Sequence, residues 1–256
     1  MAENAKKISA TIITLNEEKN IGSCLESLDF VDEIVVVDSG SIDRTGEICR
    51  SNPKVCFHDL PWEGYGRQKN LAASLASHDW ILNIDADERV SEPLRASILA
   101  ADRDLYAGFR MARRNYFGNR WIRWCGWYPD RKLRFYDRSR GSFEELAVHE
   151  AVKCRDRIGL LSGDLHHYTY AGISDYMSRM DRYSSLAAEE MLKQGRRPGV
   201  TSILFRPLYT FIRMYLLKLG FLEGYTGLLL SLLYTGYTFL KYAKATETIR
   251  NAARQD

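Results

Sequence analysis

Two carboxylates flank one residue at Asp85-Ala86-Asp87, directly after the apolar run Trp80-Ile81-Leu82-Asn83-Ile84. Carboxylates so spaced can hold a divalent cation, and the cation can clamp a diphosphate. The pattern alone is weak, since a chain of this length holds about one Asp-x-Asp by chance. A second copy, Asp102-Arg103-Asp104, is the control: it follows a helical run, sits among charges and reads as a solvated turn. Asp38 also ends an apolar run, before Ser39-Gly40-Ser41. It reads either as an Asx turn or as an acceptor for a base N–H and a ribose. Gly64-Tyr65-Gly66-Arg67-Gln68-Lys69-Asn70 lacks the third glycine and the preceding strand of a dinucleotide fingerprint. Arg67 and Lys69 lie near a helix start, where they can meet phosphate oxygens or simply form a solvated basic face.

These residues need a scaffold, and the first hundred residues supply one. Ile8–Leu15, Glu33–Val37, Lys54–His58 and Trp80–Ile84 are short, apolar, largely β-branched runs that read as strands. Between them Glu17–Leu28 has one helical apolar face, with Asn16 as its N-cap. Asp43 is placed to cap a helix through Arg50, and the Trp62–Gly66 loop opens another through Ala76. The alternation predicts an α/β fold with a mostly parallel, Rossmann-like sheet flanked by helices. Ligands of such sheets sit beyond the carboxyl ends of the strands, where Asn16-Glu17, Asp38 and Asp85/Asp87 fall.

Composition excludes several classes. Hydrophobic residues make up 45% and charged residues 27%, which rules out a disordered or collagen-like chain. A net charge of +3 argues against a dedicated nucleic-acid binder. Five cysteines without a Cys-x-x-Cys pair argue against a disulfide framework or structural zinc and fit a reducing compartment. The polar start Met1–Lys7 shows no secretory signal. Residues 112–140 interleave arginines with Tyr116, Phe117, Trp121, Trp124, Trp127 and Tyr128. That mixture suits an anionic sugar acceptor, or forms amphipathic strands with a solvated basic face. From Arg196 onward nine residues are basic and three acidic, and Gly224–Leu240 holds no charge. Its 17 residues sit at the lower limit of a spanning helix, roughly 17–25. Residues 200–243 therefore read as helices lying on a membrane face, with burial or spanning as the alternatives.

Ile13-Thr14-Leu15-Asn16-Glu17-Glu18, Val37-Asp38-Ser39-Gly40-Ser41-x-Asp43-x-Thr45, Lys69-Asn70 and Asp85-Ala86-Asp87 occur in this order. Together they resemble the family-two glycosyltransferases of the GT-A fold over roughly residues 8–170. Gly66–Asn70, Asp79–Leu82, Val148-His149-Glu150 and the later His-Tyr make the chain more similar still to bacterial lipopolysaccharide core glycosyltransferases. The resemblance implies a nucleobase pocket of Thr14, Leu15 and Glu17 with Asp38 on the uracil; Asn16, Arg67 and Lys69 are further candidates for binding the donor. It implies Asp85 near the ribose and metal, Asp87 on Mg²⁺ or Mn²⁺, and a late histidine, His167 or its neighbour His166, helping there. Ile13 and Leu15 stand where the family often has Pro and Tyr, so the aromatic stack on the base is replaced by an aliphatic cover. An inverting transfer also needs a carboxylate to take the acceptor's proton. Asp130, Glu144, Glu145 and Glu150 are the candidates, and Glu150 matches the family's acidic motif.

The expectation is a catalytic GT-A domain at 1–172, with donor half 1–100 and acceptor half 101–172, and a helical, membrane-associated extension at 173–256. Its activity would be metal-dependent transfer of a hexose from a UDP-sugar to a lipopolysaccharide core or related glycolipid. The place would be the inner face of the cytoplasmic membrane, with no nucleic-acid partner. Two alternatives stay open: transfer to polyprenyl phosphate, and a non-catalytic sugar-nucleotide-binding scaffold at the membrane.

Overall fold

A computed structural model describes residues 6–144 and 151–252. The early strands form where the apolar runs lie: β1 (Ile8–Thr14), β2 (Glu33–Asp38), β3 (Val55–Asp59) and β4 (Trp80–Asn83). Helices α1 (Ile21–Glu26), α2 (Thr45–Ser51) and α3 (Tyr65–Leu75) alternate with them. Then follow β5 (Glu88–Val90), α4 (Glu92–Leu99), β6 (Gly108–Phe117), β7 (Arg120–Trp121), β8 (Asp130–Asp137), β9 (Gly141–Phe143), β10 (Val152–Cys154) and β11 (Ile158–Tyr170). Helices α5 (Ile173–Lys193), α6 (Val200–Phe211) and α7 (Tyr225–Ala252) end the chain, with a π-helical turn at Ile212–Leu217 and a 3-10 turn at Gly220–Glu223.

The main sheet runs β3-β2-β1-β4-β8-β6-β11-β5, with β7 on β6. Pairing is parallel from β3 to β4 and antiparallel from β4 to β8 and from β8 to β6. The expected α/β fold is thus present, with a mixed sheet whose parallel part carries the first four strands. The continuous apolar text of β1 and β2 follows from burial on both faces. Ala10, Ile12, Ile34 and Val36 pack with Ile21, Cys24 and Leu25 of α1 and with Leu94 and Ile98 of α4. Val35 and Val37 point the other way, against Ala72 and Ala73 of α3. All five cysteines are free thiols, and burial pushes that of Cys49 up to about 12.

Two compact units divide the chain. The first comprises Met1–Arg114 and Asp130–His167, the second Asn115–Pro129 and Tyr168–Asp256. The sequence-based boundary after residue 172 differs in leaving 115–129 and 168–172 with the catalytic part. In the second unit Ile122, Cys125 and Trp127 pack with Met214 and Leu230. Buried Glu223 accepts the Arg123 and Trp124 backbone N–H groups at 2.8 and 3.1 Å and pairs with Arg120 at 3.0 Å. The last helices therefore hold the Arg120–Cys125 turn, rather than forming a separate appendage to it. Among the described residues no helix is long and apolar enough to cross a membrane.

Candidate active site

The carboxyl ends of β1 and β2 are joined by a polar clasp, all of it in the first unit. Ser41 Oγ accepts the Asn16 N–H at 2.7 Å, Thr45 Oγ1 the Glu17 N–H at 2.8 Å, and Asp43 Oδ2 the Glu18 N–H at 3.1 Å. In return Asn16 Oδ1 accepts the Ile42 N–H at 2.9 Å, and Glu18 Oε2 the Arg44 N–H at 3.2 Å. The spaced Asp-Ser-Gly-Ser-x-Asp-x-Thr text is thus a device for holding three consecutive N–H groups of the neighbouring loop. Asn16 sits at φ 57 and precedes a short loop, so it is not the helix cap that the sequence suggested. Helix α1 begins only at Ile21, after Asn20. Glu17 Oε2 accepts from the Asn20 side chain at 2.8 Å. Asp43 does not stand at the N-cap of α2 either; it binds the Thr45 N–H and hydroxyl one residue earlier.

Asp38 is buried, and its carboxylate accepts the Gly40 N–H, the Ser41 N–H and the Ser41 hydroxyl at 3.0, 2.7 and 2.5 Å. The Asx-turn reading therefore describes its contacts within the chain. Beside it, across the β1–β2 register, stands Thr14. Its Oγ1 is buried and has no hydrogen-bond partner among the described residues, an orphan of the kind a ligand satisfies. Leu15 next to it is 50% exposed, an aliphatic surface at the strand end.

Asp85 is the most tightly held group of the set. Lys69 Nζ lies 3.0 Å from its Oδ1, and Arg134 donates to its Oδ2 at 2.5 Å. Both cations are buried. Arg134 also donates to Asn83 Oδ1 at 2.5 Å, and Arg113 pairs with fully buried Glu88 at 3.2 Å. Burial pushes the Asp85 carboxyl up, but the charges of Arg134, Lys69 and Arg113 outweigh it and hold the group well below the usual carboxylate range. Arg113 and Arg134 thus form neither a surface toward an acceptor nor a solvated basic face; they turn inward, as counter-ions. Arg67 is exposed on the first turn of α3, apart from this cluster in burial.

Asp87 is differently placed. His167 Nε2 lies 3.5 Å from its Oδ2, and the two side chains are 13% and 18% exposed. The β11–β5 register puts His167 opposite Glu88 and His166 opposite Arg89. It is the 3.5 Å contact, rather than the register, that sets His167 beside Asp87, while His166, the preceding strand residue, faces the other side. Among the described residues no group of three or more His, Cys, Asp or Glu side chains is gathered for a metal. The Asp87–His167 pair nevertheless fits Mg²⁺ or Mn²⁺. Cis donors on a six-coordinate ion at ~2.1 Å lie about 3 Å apart, and such ions are held through one or two carboxylates, of which Asp87 supplies one, together with substrate phosphates.

Of the four candidate bases, Asp130 is paired with Arg113 at 2.5 Å. Burial raises its pKa, but Arg113 and then Lys132 lower it further, which makes it a poor proton acceptor. Glu144 pairs with Lys153. Glu145 and Glu150 lie outside the described residues. The chain on either side of them is joined by the Glu144 N–H to the Ala151 carbonyl at 3.0 Å. Asn70, next to Lys69, binds the Phe143 backbone through both amide atoms, at 3.0 and 2.9 Å. That contact ties β9 to the helix that carries the Asp85 clamp.

Residues 9–155 match the family model described as Glycosyl transferase family 2. The chain is 34% identical to the lipopolysaccharide core biosynthesis glycosyltransferase LpsC of Rhizobium meliloti (strain 1021), over 93% of this chain and 91% of that one. It is 32% identical to an uncharacterized glycosyltransferase of Rickettsia typhi, over 94% and 87% of the two chains. Among solved structures, S. aureus TarS 1-349 in complex with UDP-GlcNAc superposes with a TM-score of 0.52 at 16% identity, covering 96% of this chain and 92% of that one. That likeness is one of fold.

Proposed function

This chain belongs to glycosyl transferase family 2 and is a glycosyltransferase, and from that premise we propose that it moves a hexose from a UDP-sugar to a lipopolysaccharide core or related glycolipid at the inner face of the cytoplasmic membrane. The observation that carries the reading is the Asp87–His167 pair beside the clamped Asp85, at the carboxyl end of β4. Support for the acceptor comes from LpsC, whose similarity spans almost the whole chain.

Thr14 and Leu15 line the nucleobase pocket in this proposal, with Asn16, Glu17 and Asp38 shaping its floor through the clasp. Asp87 and His167 would hold Mg²⁺ or Mn²⁺, which when bound neutralises the departing diphosphate. Asp85, Lys69 and Arg134 fix the loop that presents Asp87. Glu150 takes the proton of the acceptor hydroxyl as that oxygen attacks the anomeric carbon, a role worth roughly 10²–10⁴-fold in rate.

The test is a panel of UDP-hexoses with a lipid-free core oligosaccharide as acceptor, read by nucleotide release with Mg²⁺ or Mn²⁺. Asp87→Ala and Glu150→Gln should each lose at least about 100-fold in kcat. Full turnover by Asp87→Ala would remove the metal assignment, and full turnover by Glu150→Gln on a hydroxyl acceptor would remove the base. Activity on polyprenyl phosphate that survives Glu150→Gln would favour the alternative acceptor, which is already an anion.

A further inference from the structure

The helices at the end of the chain show an inverted amphipathicity. Fifteen of the 24 large apolar side chains exposed among the described residues fall between Val200 and Phe239, so the exposure is concentrated in one segment of the second unit. On α6 and the turn after it the exposed set includes Leu204 (67%), Phe205 (60%), Leu208, Tyr209 and Ile212. At about 100° per residue these five share a stripe about 140° wide. The opposite side of the same helix is the packed one. Pro207 is buried there, and Thr210 Oγ1 meets Thr238 of α7 at 3.2 Å. A helix of a soluble protein turns its apolar stripe toward its neighbour; this one turns it outward.

Charge says what the stripe faces. Arg206, Arg213 and Lys218 are exposed, and helical spacing puts the two arginines at one edge of the stripe. Glu223 is the one acidic residue between Val200 and Leu240, and it is buried against Arg120. The exposed charge of this segment is therefore wholly positive. A second copy of the chain would bring like charges together, whereas a bilayer rich in anionic headgroups offers both apolar depth and the complementary sign.

We infer that the outward stripe of α6 and the following turn docks in the plane of an anionic bilayer, with Arg206, Arg213 and Lys218 among the headgroups. This deepens the proposal of a glycolipid acceptor by naming the surface on which the acceptor is met. It rests on that reading for its purpose but not for its physics.

The experiment is sedimentation of the full-length protein with vesicles, without donor or acceptor. Vesicles of phosphatidylcholine alone are compared with vesicles containing phosphatidylglycerol, at low and high salt. Wild-type protein should bind the anionic vesicles and be released by salt. The triple change Arg206→Gln, Arg213→Gln and Lys218→Gln should weaken binding roughly a hundredfold, at roughly fivefold per charge. Leu204→Ser with Phe205→Ser and Leu208→Ser should abolish it, and exposed positions leave the fold intact by circular dichroism. Equal binding of wild-type protein to neutral and anionic vesicles would overturn the inference. So would wild-type binding by either variant, or a dimer in sedimentation velocity that the serine variant dissociates while vesicle binding stays absent. Turnover on a lipid-free acceptor reads the donor site separately. If it fails while vesicle binding holds, the fault lies in the proposed chemistry and not in the docking face.

Discussion

Replacing Arg134 with methionine removes the cation that holds Asp85 while keeping much of its volume. Arg134 is 6% exposed and bonds Asn83 Oδ1 and Asp85 Oδ2 at 2.5 Å each, with Glu88 Oε1 3.6 Å away. Breaking a buried pair by deleting one partner costs roughly 3–5 kcal/mol, because the other charge stays behind. Two contacts soften the loss: Lys69 remains 3.0 Å from Asp85, and Arg113 remains 3.2 Å from Glu88. One adds to it, since losing the bond to Asn83 Oδ1 costs about 1–3 kcal/mol if no new donor arrives. A net loss of about 4 kcal/mol corresponds to a fall in Tm of roughly 8–16 °C for a chain of this size. The effect has a pH signature. A carboxyl whose folded pKa is depressed contributes stability that is present above its unfolded pKa, about 3.9, and is lost as pH falls through the folded value. Asp85 is depressed well below the usual value chiefly by Arg134, against the opposing effect of burial. The gap between wild type and Arg134→Met should therefore be widest near neutral pH and should narrow as the acid range is entered. Thermal unfolding followed by circular dichroism from neutral to acid pH measures both. A Tm change below about 2 °C at neutral pH, or a gap that does not narrow on acidification, refutes the clamp.

Gly163→Ala should destabilise the first unit by roughly 2–6 kcal/mol. The glycine has φ +87, and an added Cβ would lie 2.3 Å from the Leu94 amide nitrogen; a wild-type urea midpoint would contradict this. Glu223→Ala should cost roughly 2–5 kcal/mol by leaving the Arg123 and Trp124 N–H groups without their acceptor, whereas Glu223→Gln should cost less than half as much. Urea unfolding together with near-ultraviolet circular dichroism of the tryptophans compares the two, and equal losses would show that the acceptor oxygen is not what holds the turn.

The strands that carry the site were legible because they are buried on both faces and so read as unbroken apolar runs. The contrast between Asp85-Ala86-Asp87 and Asp102-Arg103-Asp104 was legible for the same reason. Only the first follows such a run, and Asp104 is indeed a surface partner of Lys6. Asn16 was misread because its conformation is set by partners about 25 residues away, Ser41 and Ile42. A local N-cap pattern cannot register those bonds. Arg113 and Arg134 were missed because strand register decides whether a basic residue points in or out, and register depends on the pairing of distant strands. A signal was nonetheless present. Asp85, Asp87 and Glu88 place three carboxylates in four residues at the end of a buried strand, and such a cluster requires buried cations somewhere in the chain.

The two aspartates of Asp85-Ala86-Asp87 are consequently unequal, though the sequence presents them as a symmetric pair. Asp85 already has two cations within 3.0 Å, so a metal drawn to it would have to compete with Lys69 and Arg134 for the same oxygens. Asp87 has a histidine whose neutral form leaves a lone pair and no competing charge at 3.5 Å. The electrostatic division follows from the partners and not from burial: Asp85, 26% exposed, is neutralised by Lys69 and Arg134, whereas Asp87, 18% exposed, is set against His167. Substitution should separate the two functions. Asp85→Asn should lower stability through the freed cations, while Asp87→Asn should leave the unfolding midpoint within about 0.5 kcal/mol of wild type and remove turnover. If Asp87→Asn instead unfolds the chain and Asp85→Asn does not, the roles assigned to the two carboxylates are exchanged.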